Sequence, residues 1–141
     1  MTSETVSGSQ RAAHFKETRL QRLTEVVEDY TELIGDLIQA KGHARVCDIA
    51  REMGISHVSV VKTLKKLMRD GYILKEEHHI YLTPKGQEMA AFSKRKHLIL
   101  FEFLIKLGVP ESIAAIDVEG IEHHISATTL SAIEAHLQTL Q

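Results

Sequence analysis

The residues Val46-Cys47-Asp48-Ile49-Ala50-Arg51-Glu52-Met53-Gly54 and Ile55-Ser56-His57-Val58-Ser59-Val60-Val61-Lys62-Thr63-Leu64-Lys65-Lys66-Leu67 decide how this chain is read. The first nine predict a short helix closed by Gly54, with Ile55 packing into the turn and Ser56 placed to cap a second helix. On that second helix Val60, Leu64 and Leu67 recur at helical spacing and share one face. Ala50 and Gly54 are small enough for the two helices to cross closely, the helix-turn-helix arrangement. His57, Ser59, Val61, Lys62, Lys65 and Lys66 fall mostly on other faces, and Arg69 follows them. A generic helical hairpin has no need of a cationic outer face, so DNA binding is the favoured reading. Lys62, Lys65, Lys66 and Arg69 would then meet phosphates, while His57, Ser59 and Val61 would reach base edges.

Downstream, Asp70-Gly71 breaks the helix, and Tyr72-Ile73-Leu74 and Ile80-Tyr81-Leu82 read as short strands joined through Lys75 to His79. A helix-turn-helix followed at once by a hairpin is a winged helix. The wing loop Lys75-Glu76-Glu77-His78-His79 is less basic than a DNA-touching wing should be and is expected to add little affinity. Thr83 and Pro84 form an N-cap and first helical position. The helix they open is expected to run to about Leu107, with Met89, Phe92, Leu100, Phe103, Leu104 and Leu107 apolar and His97 at its middle. Gly108-Val109-Pro110 turns into a fifth helix, and Ser126 caps a sixth carrying Leu130, Ile133, Leu137 and Leu140. Three apolar helices behind a winged helix suit a homodimer, and two-fold dimers read palindromic double-stranded DNA.

Upstream, Leu20, Leu23, Val27, Tyr30, Ile34, Leu37 and Ile38 predict an amphipathic first helix ending near Ala40, with Gly42 after it. Residues 1–23 read as a flexible N-terminal extension. Its Arg11, Lys16, Arg19 and Arg22 are in reach of phosphates, but a solvated tail is the expectation. The domains expected are therefore 24–86, a winged helix with a two-stranded wing, and 87–141, all helical and dimerising.

Charge is divided unevenly. The net charge is −2, yet between His57 and Lys75 five cationic side chains oppose only Asp70, and between Glu111 and His124 four acids have no Lys or Arg among them. Within Asp117-Val118-Glu119-Gly120-Ile121-Glu122-His123-His124, Glu122 and His123 project within about 60° of Glu119 on a helix. Carboxylate oxygens with an imidazole nitrogen form a ligand set for a hard-to-borderline divalent metal ion, although a solvated charged face is the plain alternative. Val118, Ile121 and Ile125 share another stripe that can face a core. Asp29 and Glu32, one turn apart, read by themselves as surface acids, and His97 by itself as a structural histidine. One cysteine, Cys47, precludes an internal disulfide and fits a reducing cytoplasm. No apolar run approaches the ~20 residues of a membrane span, and the polar start lacks a signal-peptide core.

Several runs resemble, in fixed order, the manganese-responsive branch of the diphtheria toxin repressor family of metal-dependent transcriptional regulators. They are Glu28-Asp29-Tyr30-Thr31-Glu32, Ala44-Arg45-Val46, Leu82-Thr83-Pro84-Lys85-Gly86, His97 with Leu104 and Leu107-Gly108-Val109, and the stretch from Asp117 to Ser126. The resemblance spans about residues 24–126. It implies a homodimeric repressor of manganese uptake genes, acting in the cytoplasm. It also implies a pair of Mn²⁺ ions per chain held by Asp29, Glu32, His97, Glu119, Glu122 and His123, with Fe²⁺, Zn²⁺ or Cd²⁺ as possible substitutes. Iron-responsive relatives carry cysteine at the position of Glu119 and methionine at that of Asp29, so oxygen at both favours manganese. The chain ends soon after the sixth helix, so the SH3-like third domain of longer iron regulators is expected to be absent.

Three other readings stay open at this stage: an iron-responsive regulator of the same family, a metal-independent winged-helix regulator, and a metalloenzyme. The last is disfavoured. There is no His-Glu-x-x-His for a zinc peptidase, and the residues three before His123 and His97 are Gly120 and Lys94 rather than glutamates.

Overall fold

An unbroken helix-forming sequence from Ser7 to Lys41 makes the first element the longest. The computed structural model describes residues 7–140, apart from the side chains of residues 21–23. Helix α1 (Gly8–Lys41) starts at a capping box, in which Ser7 accepts from the Gln10 amide and Gln10 returns a bond to the Ser7 amide. It stops where Gly42 adopts φ 80°. Residues expected as a flexible tail are thus helical from Gly8 onward, because the cap satisfies the first orphan amides and no helix breaker follows. Their side chains from Ser7 to Leu20 are exposed, so this part makes no core contact. Residues 1–6 of the expected tail lie outside the described residues, as do the Arg22 and Leu23 side chains. Among the described apolar side chains of α1, Leu20 is 48% exposed, and those packed in the core are Val27, Tyr30, Leu33, Ile34, Leu37 and Ile38.

Helices α2 (Val46–Met53) and α3 (His57–Arg69) form the helix-turn-helix. Gly54 takes φ 66° between them, and Ser56 accepts from the Ser59 amide. Ile55 gives its amide to Ala50 but leaves its side chain 42% exposed. Val60, Leu64 and Leu67 are buried with Ile49, Ile34 and the strand residues Ile73 and Ile80 in the first core.

The wing consists of antiparallel β1 (Ile73–Glu76) and β2 (His79–Leu82), in register Ile73 opposite Leu82 through Glu76 opposite His79. The turn is therefore Glu77-His78, shorter than the expected Lys75–His79 loop. No Asn-Gly or Asp-Gly announces it; Glu77 itself takes φ 58°, a conformation side chains rarely adopt.

Helices α4 (Pro84–Lys106), α5 (Glu111–Ile121) and α6 (Ala127–Thr139) form the second unit around Leu100, Val118 and Leu130. Fold class agrees with the expectation: mostly helical, a winged helix-turn-helix followed by helices. Two expectations change. Helix α5 ends at Ile121, so Glu122 caps it and His123 lies beyond it. Ile121 is 41% exposed rather than in the core with Val118. The cause is the sharp turn into the Ser126 cap of α6, which swings Glu122 and His123 inward. Among the described residues, no helix is long and apolar enough to cross a membrane.

The two units are joined by a clasp at the start of α4, as well as by packing of α4 along α1. Thr83 Oγ1 donates to the carbonyls of Gly71 and Tyr72 at 2.6 and 3.0 Å and accepts from the Gly86 amide. Lys85 Nζ donates to the Asp70 carbonyl and sits 4.3 Å from the Tyr72 ring centroid. Gly86 is buried against the Tyr72 carbonyl, where any Cβ would collide with backbone. Gly86→Ala is accordingly expected to cost about 1–3 kcal/mol, as overpacking does. A urea-unfolding midpoint indistinguishable from that of the unchanged protein would show that the clasp yields.

Candidate metal centre and nucleic-acid face

The junction of α1, α4 and α5 gathers acids that their own helices keep apart. Asp29, Glu32, Asp36, Glu52, His97, Glu119 and Glu122 line one open cavity of about 420 Å³ together with Leu33. Six carboxylates thus face one space, with Lys94 pairing Asp36 at 2.8 Å at its edge. Burial pushes Glu122 above the usual carboxylate range; hydrogen bonding to His97 opposes this, and the charge of Glu119 adds to it.

All six sequence-predicted ligand positions meet at this junction, but not as one stripe. Their donor atoms fall into two clusters, each gathered within 4.8 Å. One contains His97, Glu119 and Glu122; the other contains Asp29 and His123 with Glu25. Glu122 belongs to both neighbourhoods. Its Oε2 is 2.8 Å from His97 Nδ1, and its Oε1 is 3.3 Å from His123 Nε2. His123 Nε2 also lies 2.9 Å from Asp29 Oδ1. Glu32 stands aside from both clusters and accepts from the Ser93 hydroxyl at 2.7 Å, although it lines the same cavity. Glu119 is exposed at the rim, while Glu122 and His123 are buried.

Sequence reasoning passed over Glu25, Glu28, Ser93 and Lys96. Glu25, Glu28, Asp29 and Glu32 follow an i, i+3, i+4, i+7 pattern, so one acidic stripe on α1 was the available signal. Nothing local distinguishes Lys96 from a solvated lysine, yet it is 4% exposed.

Oxygen and imidazole nitrogen are the donors offered, with no sulfur among the cavity-lining residues, a chemistry that fits a hard-to-borderline divalent cation. Of the six cavity carboxylates Glu122 is buried, with the charge of Glu119 close by, and Lys94 is engaged by Asp36 at the edge. The residues present therefore fit such an ion.

Separately, His57, Val58, Val61, Lys62 and Lys65 line one groove on α3. His57 and Val61 continue into a second with Arg45, Val46, Cys47, Lys75 and His78. Four of the seven sequence-predicted DNA-facing residues meet here: His57, Val61, Lys62 and Lys65. Lys66 and Arg69 are exposed beside these grooves, Arg69 3.7 Å from Asp70. The Ser59 hydroxyl is 2.9 Å from Ser56 Oγ in the helix cap. Val58, 78% exposed, and Arg45 were not anticipated. The wing contributes Lys75 and His78 to the lining of that groove.

Comparison with known proteins agrees with both ends of the molecule. The profile of the iron dependent repressor N-terminal DNA binding domain matches residues 22–79, and that of the iron dependent repressor metal binding and dimerisation domain matches residues 83–141. The transcriptional regulator MntR of Salmonella typhimurium is 39% identical over 137 residues, covering 96% of this chain and 87% of that protein. The MntR of Listeria welshimeri is 43% identical over 111 residues, 78% of each chain. Among solved structures, the metal-dependent transcriptional regulator MtsR matches with TM-score 0.76 at 27% identity, covering 82% of this chain and 54% of that one. The manganese regulator SloR matches with TM-score 0.71, also at 27% identity, covering 79% and 53%. The chain thus spans about half the length of these two solved chains.

One titration follows from the geometry. Burial alone lowers the pKa of His123, but hydrogen bonds to Asp29 and Glu28 outweigh it and raise it from 6.5 to about 10. A group raised on folding contributes stability fully present below about pH 6.5 and lost as pH rises through about 10. Chelator-treated protein is therefore expected to lose denaturant stability steadily across that window, and His123→Gln to flatten the slope. A profile already flat in the unchanged protein would exclude an imidazolium at this position.

Proposed function

Because this chain belongs to the iron dependent repressor family, we propose that it is a manganese-responsive repressor of manganese uptake genes. In this reading residues 24–86 bind DNA, residues 87–141 bind metal and dimerise, and residues 1–23 precede them as an extension. Asp29, Glu32, His97, Glu119, Glu122 and His123 hold a pair of Mn²⁺ ions per chain, Glu25 joining on the His123 side. The observation that carries the reading is Glu122, whose two oxygens face His97 and His123 separately and so join both donor clusters. The likeness to the manganese regulator SloR supports manganese, as does the absence of sulfur among the cavity-lining residues.

When bound, the ions supply positive charge and coordination bonds at the junction. The protein's own groups do the rest. Asp29 and Glu32 belong to the DNA-binding half, while His97, Glu119, Glu122 and His123 belong to the other. Without a cation the carboxylates repel across the cavity and α1 is held less firmly against α4 and α5. With their charge offset, α1 is fixed, and with it the orientation of α3, which lowers the ordering cost of binding DNA. Lys62, Lys65, Lys66 and Arg69 contact phosphates, while His57, Ser59 and Val61 approach base edges of a palindromic operator. The exposed Ile113, Ile116 and Ile121 of α5, with Leu98 of α4, are covered by a second copy of the chain.

EPR titration of metal-free protein with Mn²⁺ is expected to show about two ions taken up per chain, falling sharply in Glu119→Ala and His123→Ala, both of which remain folded dimers. Either variant binding like the unchanged protein would sink the ligand assignment. Repeating the titration with Fe²⁺ and Zn²⁺ decides the metal, and DNA binding that persists in chelator would overturn the metal switch altogether. In the Mn²⁺-loaded protein, Lys65→Ala is expected to lower the slope of log affinity against log salt by about 0.9, the release from one phosphate. An unchanged slope would remove Lys65 from the interface.

A further inference from the structure

Behind the donor atoms lies a second tier that belongs to neither cluster. Glu28 and Lys96 are 5% and 4% exposed. Lys96 Nζ donates to Glu28 Oε2 at 2.6 Å, and it lies 4.9 Å from the centroid of the Phe92 ring. The same Glu28 oxygen is 3.1 Å from His123 Nδ1. His123 is thereby held at both nitrogens, by Glu28 on one side and by Asp29 and Glu122 on the other.

We propose that the buried Glu28–Lys96 pair is the positioning element of the metal centre, fixing His123 so that Nδ1 carries the proton and Nε2 is presented to a divalent cation between Asp29 and Glu122. The inference rests on the metal reading above and adds two residues to it. An imidazole whose Nδ1–H donates to a carboxylate keeps its lone pair on Nε2, and its ring orientation is set by that bond. Carboxylate–imidazole contact also makes Nε2 a stronger donor. Lys96 explains why Glu28 orients rather than ligates. A buried carboxylate without a counter-charge would attract the incoming cation itself, but here its charge is already matched by an ammonium group.

The arrangement also uses neighbouring residues for different tasks. On α1, Glu28 turns inward to His123 and Lys96 while Asp29 faces the cavity. On α4, Lys96 turns inward while His97 faces the cavity. Each helix therefore contributes one group to the donor tier and one to the supporting tier, so a rotation of either helix would disturb both.

The test compares unchanged full-length protein, Glu28→Gln, Glu28→Gln/Lys96→Met and His123→Ala, each metal-free at the start, by Mn²⁺ EPR titration and by thermal unfolding. Glu28→Gln alone strands a buried ammonium and is expected to lower the unfolding temperature. The double variant removes both charges and is expected to recover most of that loss. In both, the ion on the His123 side is expected to bind about 10–100-fold more weakly, the range for lost support of a ligating histidine, while the His97-side ion remains. A double variant that takes up Mn²⁺ as the unchanged protein does would reduce the pair to a packing feature and overturn the inference alone. Failure of the unchanged protein to take up Mn²⁺ would overturn the metal reading and this inference with it. Imidazole ¹⁵N spectra of the Zn²⁺-loaded unchanged protein give an arm that needs no variant. A protonated Nδ1 and a metal-bound Nε2 on His123 support the assignment, and the reverse tautomer refutes it.

Discussion

A buried histidine at the end of α5 ties the two units of this protein together. His123 lies beyond the last turn of its helix and reaches the acids of α1, with Asp29 and Glu122 at one nitrogen and Glu28 at the other. That contact fixes where the C-terminal helices sit against the helix that also supports the helix-turn-helix. The long α4 runs beside it, and its Lys96 pairs with the buried Glu28 behind His123. Beside that contact the units are linked by the packing of α1 along α4, with its Ser93–Glu32, Lys94–Asp36 and Lys96–Glu28 bonds, and by the clasp around Thr83 and Gly86.

Electrostatics then make the junction conditional. Exposed like charges one turn apart on a helix cost roughly 0.2–0.5 kcal/mol, which an ordinary fold tolerates. Carboxylates about 4 Å apart near a protein surface, at an effective dielectric of about 20, repel by about 4 kcal/mol before screening. The second regime applies around Glu122, which is buried and whose pKa is held above the usual carboxylate range. In the metal-free protein the charged His123 partly offsets this, its proton held against burial by hydrogen bonds to Asp29 and Glu28, with the charge of Glu122 adding to them. A divalent cation offers the same carboxylates twice the charge and a preferred geometry. On the proposed reading a divalent cation would take the place of that proton, and its binding would strengthen as pH rises.

The nucleic-acid face is built by different means and from a different set of residues. Its grooves are lined by α3, the start of α2 and the wing, and their charged groups are cationic. A chain with a net charge of only −2 therefore carries two strongly charged surfaces of opposite sign, each suited to a different ligand. The clasp between the wing and α4 matters to both, since the hairpin that borders the DNA face ends where the helix carrying His97 begins.

Much of this was legible in the sequence. The period of Val60, Leu64 and Leu67, the Ser56 and Thr83 caps and the glycines at 42, 54 and 71 specify helices, turns and wing, because such signals act through bonds three or four residues apart. The acids and histidines proposed as ligands could be picked out too, through the order in which their motifs recur. The two-residue turn at Glu77-His78 was not, since no glycine marks its positive φ. Nor was the inward turn of Glu122 and His123, which a helical projection continues along one stripe. Above all, the sequence did not separate the buried Glu28 and Lys96 from the cavity-facing Asp29 and His97 beside them. The partners that separate them lie 68 and 95 residues apart, Lys96 and His123 each meeting Glu28. A helix sets which direction each side chain leaves its own axis, but only the packing of α1 against α4 and the end of α5 decides whether that direction leads to water, to a cavity or to a buried counter-charge.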